Sequence, residues 1–187
     1  MDTAHVVQAQ QGDRHAFESL TVAHHSRLFK VAYGILRDRH LAEDATQQAF
    51  FEIWRNLRHL KDPSKFEGWS YRLLVRACYA ELKQKSGWIP DSEMQPNDEP
   101  RARDAFGAVA DRDLLERGFQ HLSPEHRAVI VLRYLLDMTP EQVADTLDIP
   151  RKTVYSRLKR AILAMRAAME ADARPAHAAS VPQEIVR

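Results

Sequence analysis

The stretch DIPRKTVYSRLKR, residues 148–160, holds the densest set of side chains able to recognise a polyanion. Val154, Leu158 and Ala161 recur at helical spacing. Burying that stripe turns Arg151, Lys152, Thr153, Ser156, Arg157 and Arg160 outward. Arg and Lys can read guanine edges or neutralise phosphate, and Ser and Thr hydroxyls can bond either. Cations alone would describe a solvated surface helix equally well. The surrounding pattern favours DNA. A short helix over 140–147 presents Val143, Ala144 and Leu147, and Asp148, Ile149 and Pro150 form a turn. The second helix then buries Val154, Leu158, Ala161 and Met165, which is the spacing of a helix-turn-helix.

A second set lies in FEGWSYRLLVRACYAELKQK, residues 66–85, where Phe66, Trp69, Tyr71 and Tyr79 alternate with Arg72, Arg76, Lys83 and Lys85. Rings interleaved with cations suit a single strand, because bases stack on the rings while the cations follow phosphates. The same spacing also allows Trp69 and Tyr71 to be core residues. A third set, Glu43, Asp44, Gln47 and Gln48, gathers on one side of a helix over 41–57. On residue chemistry alone it is an exposed acid-and-amide face.

The elements that must position these groups are all helices. Few glycines, 44% apolar residues and no regular β-branched alternation predict an all-α fold. Apolar stripes run through 14–36, 41–60 and 66–85, with Pro63 as a break, and could close into one bundle near residue 86. Residues 86–104 carry Pro90, Pro96, Pro100 and a cluster of acids, and read as a linker. A second helical block follows. Ser123 caps SPEHRAVIVLRYLL, with Pro124 in the first turn. Thr139, Pro140 and Gln142 repeat the device as a capping box. The expected division is two small helical domains, at 10–86 and 111–170, joined by a flexible linker at 87–110. A disordered Ala/Pro-rich tail is expected at 171–187.

Other chemistries find little support. The net charge of +1 hides an uneven distribution, with acids in 91–99 and bases in 151–166, which points to a local anionic partner. Cys78 is the only cysteine; it cannot form an internal disulfide and reads as a small buried apolar residue. The pairs His24–His25 and His121/His126 lack the carboxylates or thiols of a metal site, so solvated or capping roles are expected and no metal or cofactor is. No phosphate-binding glycine loop or nucleophile motif suggests an enzyme. No signal-peptide pattern or membrane-length apolar run appears, so a cytoplasmic location without membrane contact is expected.

In order, AEDATQQAFFEIW, FEGWSYRLLVRA and LSPEHRAVIVLRYLLDMTPEQVADTLDIPRKTVYSRLKRAILAMR resemble an extracytoplasmic-function sigma factor of the sigma-70 class, over about residues 12–168. The resemblance implies a bacterial initiation factor with a region 2 bundle and a region 4 helix-turn-helix. Its implied partners are core RNA polymerase, through the β′ clamp helices and the β flap, promoter DNA, and an anti-sigma factor. The clamp-binding role carries over to Asp44, Gln47, Gln48 and Phe51. Recognition and melting of the −10 element carries over to the 60–68 loop and to Phe66, Trp69, Arg72, Arg76, Tyr79 and Lys83. Reading of the −35 element falls to the recognition helix, and the acidic linker would thread the basic channel of the polymerase.

Four positions depart from the family pattern. Gln48 stands where an acid is usual, Arg76 where an asparagine is common, Ala80 where an aspartate is common, and Lys152 where a glycine often precedes Thr-Val. Promoter sequences of relatives therefore do not transfer. The rival reading is a stand-alone helix-turn-helix repressor or activator whose N-terminal bundle senses a ligand or dimerises. It would bind a palindromic duplex tightly without polymerase. A single small helix-turn-helix makes few phosphate contacts, so a tethered second reader on a common partner fits the division of this chain better.

Overall fold

The computed structural model describes residues 3–87 and 118–173, and every regular element among them is helical. The expected linker beyond Gly87 and the expected tail beyond Ala173 lie outside the described residues. The order is α1 (Thr3–Gln10), α2 (Arg14–Leu36), α3 (Arg39–Asn56), two 3-10 turns (Leu57–His59 and Pro63–Lys65), and α4 (Phe66–Ser86). After the undescribed stretch come α5 (Pro124–Ile130), a π-helical turn (Val131–Leu135), α6 (Pro140–Leu147) and α7 (Arg151–Ala173).

Side-chain caps set most of these boundaries. Asp13 accepts from His15 N and Ala16 N to start α2, and Asp38 accepts from His40 N and Leu41 N to start α3. Asp38 also takes the Lys85 Nζ at 2.7 Å, which ties the α2–α3 corner to the end of α4. Thr139 and Gln142 form the full capping box at α6, as the sequence predicts, and Ser123 caps α5. Two features differ from the sequence expectation. The chain begins with α1, whose Val6 and Ala9 are buried, and the helix after Ser123 widens into the π turn before it ends. An eight-residue helix with two buried side chains leaves no long stripe to detect.

Two clusters form the interior. The smaller joins α1, α2 and α3 to the 57–66 segment through Val6, Ala16, Leu20, Ile53, Leu57 and Phe66. Gln10 fastens that segment by donating its Nε2 to the carbonyls of Leu57 (3.1 Å) and Leu60 (2.7 Å). The larger cluster is continuous across both parts of the chain. Leu28, Val31, Ile35 and Leu74 pack in one interior with Leu132, Val143, Val154 and Leu158.

That continuity depends on a close approach at Gly34. A Cβ added there would sit 2.8 Å from Val131 Cγ2, so only a residue without a side chain lets α2 meet the π turn at this spacing. Val131 has stiff χ1 and cannot swing aside cheaply. Replacing Gly34 with Val should therefore destabilise the protein by about 1–3 kcal/mol, the usual cost of overpacking. Denaturant titration should show the lower midpoint, while far-ultraviolet circular dichroism in buffer keeps its helical content.

Candidate nucleic-acid interface

The helix-turn-helix is built by α6, a tight turn and α7. Asp148 takes the left-handed conformation (φ 57) at the end of α6 and its N–H bonds Ala144 O, while Ile149 N bonds the same carbonyl. Val143 and Ala144 of α6, and Val154, Leu158, Ala161 and Met165 of α7, are buried as their spacing predicts. Opposite that stripe Lys152, Ser156 and Lys159 line one ridge, each three or four residues from the next. Ser156 donates its hydroxyl to Thr153 O at 3.0 Å, leaving lone pairs free to accept.

The six expected −35 residues do not share one face. Arg151 and Lys152 are exposed, whereas Thr153, Ser156, Arg157 and Arg160 are half-buried. Arg157 and Arg160 lie on the flank facing His126 and are close enough to bias its protonation; Arg157 also acts on Tyr79. Arg151 turns to the other flank. Its Nη2 pairs with Glu141 Oε1 at 2.7 Å and donates to Tyr155 Oη at 3.2 Å. The Tyr155 hydroxyl, and after it the Glu141 charge, raises the Arg151 pKa, while the Glu141 carboxyl is lowered first by its own backbone N–H, then by Thr139 and Arg151. Sequence reasoning missed Tyr155 and Lys159. Their signal was available, because neither falls on the 154–158–161–165 stripe.

The aromatic and basic side chains of α4 divide in the same way. Phe66 was expected to stack on a single strand, but it is only 1% exposed and packs against His24 and Trp69. It is a core residue, because the 57–66 segment needs an apolar anchor. Tyr71 is likewise buried, under Arg27, and burial pushes its phenol up to about 12. Trp69 is half-buried and packs on the smaller core. Tyr79 is half-buried with its hydroxyl enclosed, and burial raises its pKa. Lys83 is exposed in the last turn.

Arg72 and Arg76 reach across to the helix-turn-helix. Arg72 Nη2 donates to the carbonyl of Asp145, and Arg76 Nη2 lies 3.6 Å from the Asp148 carboxylate. Trp69 and Arg72 share a cleft of about 680 Å³ with Leu136, Met138 and Asp145.

On α3, Asp44, Gln47, Gln48 and Phe51 are all exposed, Phe51 at 57%. Trp54 continues the 44–47–51 ridge; it is 39% exposed and its ring meets Phe17 in a tilted contact, 4.7 Å between centroids. Gln48 Nε2 donates to Glu52 Oε1 at 3.3 Å. Cys78 is buried and its thiol pKa is raised by desolvation. Among the described residues no cluster of His, Cys, Asp or Glu could hold a metal ion, and no helix is long and apolar enough to cross a membrane.

Comparison with known proteins places this geometry. The Sigma-70 region 2 family matches residues 20–87, which run from α2 to the end of α4, and the Sigma-70 region 4 family matches 112–165, which include the helix-turn-helix. The ECF RNA polymerase sigma factor SigM of Mycobacterium tuberculosis is 30% identical over 155 residues, covering 80% of this chain and 75% of the relative. This chain belongs to the extracytoplasmic-function sigma factors. SigW of Bacillus subtilis is 25% identical over 173 residues, covering 86% of this chain and 92% of SigW. Two solved structures share the fold of this sigma factor. CnrH in complex with the cytosolic domain of CnrY matches at TM-score 0.62 and 22% identity, over 91% of this chain and 98% of that one. RpoE in complex with the anti-sigma factor NepR from Bartonella quintana matches at 0.63 and 18%, over 83% and 98%.

Burial holds His126 below the ordinary imidazole value; the charge of Glu125 opposes this, and those of Arg157 and Arg160 add to it. A histidine lowered in the folded state binds its proton more readily when unfolded. Its stabilising effect is therefore complete above the unfolded pKa near 6.5 and is lost as pH falls toward the folded value. His24 is shifted in the same direction, again chiefly by burial. The urea midpoint should drop between pH 7 and pH 5, and His126→Gln should remove part of that drop.

Proposed function

We propose that this sigma factor binds core RNA polymerase and directs it to promoters by reading a −35 element through α7 and a −10 element through α4. The observation that carries this reading is the Lys152–Ser156–Lys159 ridge opposite the buried stripe of a capped helix-turn-helix, with Lys152 exposed and Ser156 and Lys159 half-buried, preceded by a region 2 bundle with its own cationic face. Lys152 supplies charge near the start of the recognition helix, where side chains of such motifs meet the major groove. Asp44, Gln47, Gln48 and Phe51, extended by Trp54, form the ridge offered to the β′ clamp helices, and the region 4 half docks on the β flap. Trp69, Arg72, Arg76, Tyr79 and Lys83 act on the −10 strand; Phe66 supports them from the core.

The compact arrangement is the free form. Arg72 and Arg76 are engaged by Asp145 and Asp148, so reading of the −10 element requires the helix-turn-helix to move away. Polymerase supplies that separation by holding the two halves at distant surfaces, and an anti-sigma factor of the kind bound to RpoE would oppose it. The protein works in the cytoplasm and needs no cofactor of its own.

Run-off transcription on a genomic template pool, with and without the protein added to core polymerase, tests the reading. Promoter-directed transcripts are expected only when both are present; a protein that neither binds core nor changes the transcripts would sink it. Lys152→Ala should weaken closed-complex formation. Arg76→Ala should leave closed binding near normal and reduce the permanganate reactivity of −10 thymines, which separates the two readers.

A further inference from the structure

We propose that Tyr155 is a specificity-determining residue that reads a thymine methyl in the −35 element, and that Arg151 is a positioning residue that braces the ring. The inference rests on the −35 role proposed for α7.

Tyr155 is 49% exposed on the N-terminal half of α7, one turn beyond Arg151 and beside Lys152, Ser156 and Lys159. An exposed ring there does not serve the core, whose α7 members are Val154, Leu158, Ala161 and Met165. Its orientation is nevertheless held. The Arg151 guanidinium carbon lies 5.6 Å from the ring centroid, and Nη2 donates to the hydroxyl at 3.2 Å. The same nitrogen pairs with Glu141 at 2.7 Å. Nη2 has two hydrogens, and these two contacts use both. Glu141 in turn is fixed at the start of α6, next to Pro140 and inside the Thr139–Gln142 capping box. The brace therefore runs from the first helix of the motif to the ring on the second.

This arrangement changes what each residue can do in a groove. Arg151 has its charge matched by Glu141 and one arm of its fork occupied, so it is poorly placed for a bidentate guanine contact or for neutralising phosphate. The ring offers an apolar surface in the major groove, where the thymine C5-methyl is the one apolar feature that a base pair displays.

The test uses holoenzyme reconstituted with the full chain and a −35 duplex selected from a random pool. Each thymine of the selected element is replaced singly by deoxyuridine, which removes only the methyl. At one position the wild-type holoenzyme should lose about four-fold in affinity, the worth of one buried methyl. With Tyr155→Ala that penalty should vanish, and with Arg151→Met it should shrink. Lys152→Met should lower the slope of log affinity against log salt by about one, whereas Arg151→Met should leave it unchanged. Thermal melting confirms that the variants are folded. A uridine penalty that survives Tyr155→Ala, a selected element without thymine, or a slope that falls in Arg151→Met would overturn the inference while leaving the sigma factor reading intact. A wild-type holoenzyme with no sequence selectivity would remove both.

Discussion

The close contact of α2 with the π turn, made where Gly34 faces Val131, is the constraint on which the rest of this structure depends. It lets the region 2 helices and the helix-turn-helix share one apolar interior instead of closing two separate ones. Each half is small, and small units bury too little surface to be comfortably stable alone. Fusing the cores relieves that problem for the free protein. It also places Arg72 and Arg76 of α4 against the turn of the helix-turn-helix, so on the proposed reading stability and concealment of the −10 reader come from the same contact.

The polar contacts across this boundary carry little of the energy. Arg76 and Asp148 are both largely exposed at 3.6 Å, and exposed pairs of this kind contribute about 0–1 kcal/mol. Their effect is on access: they occupy guanidinium groups that, on the proposed reading, contact the −10 strand. The apolar interior supplies the strength, and a partner must offset its loss. A surface that binds only the separated form shifts the population toward it by its differential affinity, and one that binds the compact form shifts it back by the same rule. On the proposed reading, core polymerase and an anti-sigma factor act on one equilibrium from opposite sides.

Much of this was legible in the sequence because it is local. Caps are read from three or four adjacent residues, and Thr139, Pro140 and Gln142 sit in the structure as their order implies. The 154–158–161–165 stripe is buried because helical periodicity leaves no other choice. Non-local contacts were not legible. Arg72 meets a carbonyl 73 residues away, and nothing near Arg72 announces it. Phe66 shows the same limit from the other side. Its neighbours are cationic and aromatic, which suits a strand-binding surface, yet α1 arrives from the start of the chain and encloses it.

Recognition helices are often read as strings of cations, and the geometry of α7 argues against treating its cations alike. Arg157 and Arg160 lie on the flank facing His126, Arg151 is matched by Glu141, and Lys152 and Lys159 remain on the ridge opposite the core. Charge count alone would assign five equal phosphate contacts. Position separates them into one brace, two flank residues and two ridge residues. The departure at Lys152 then gains a definite meaning. A glycine there would contribute no side chain, whereas a lysine adds a cation at the start of the ridge, beside a ring that Arg151 already holds. On the proposed reading, affinity and base preference can therefore vary separately in this helix, the first through Lys152 and Lys159, the second through the residues between them.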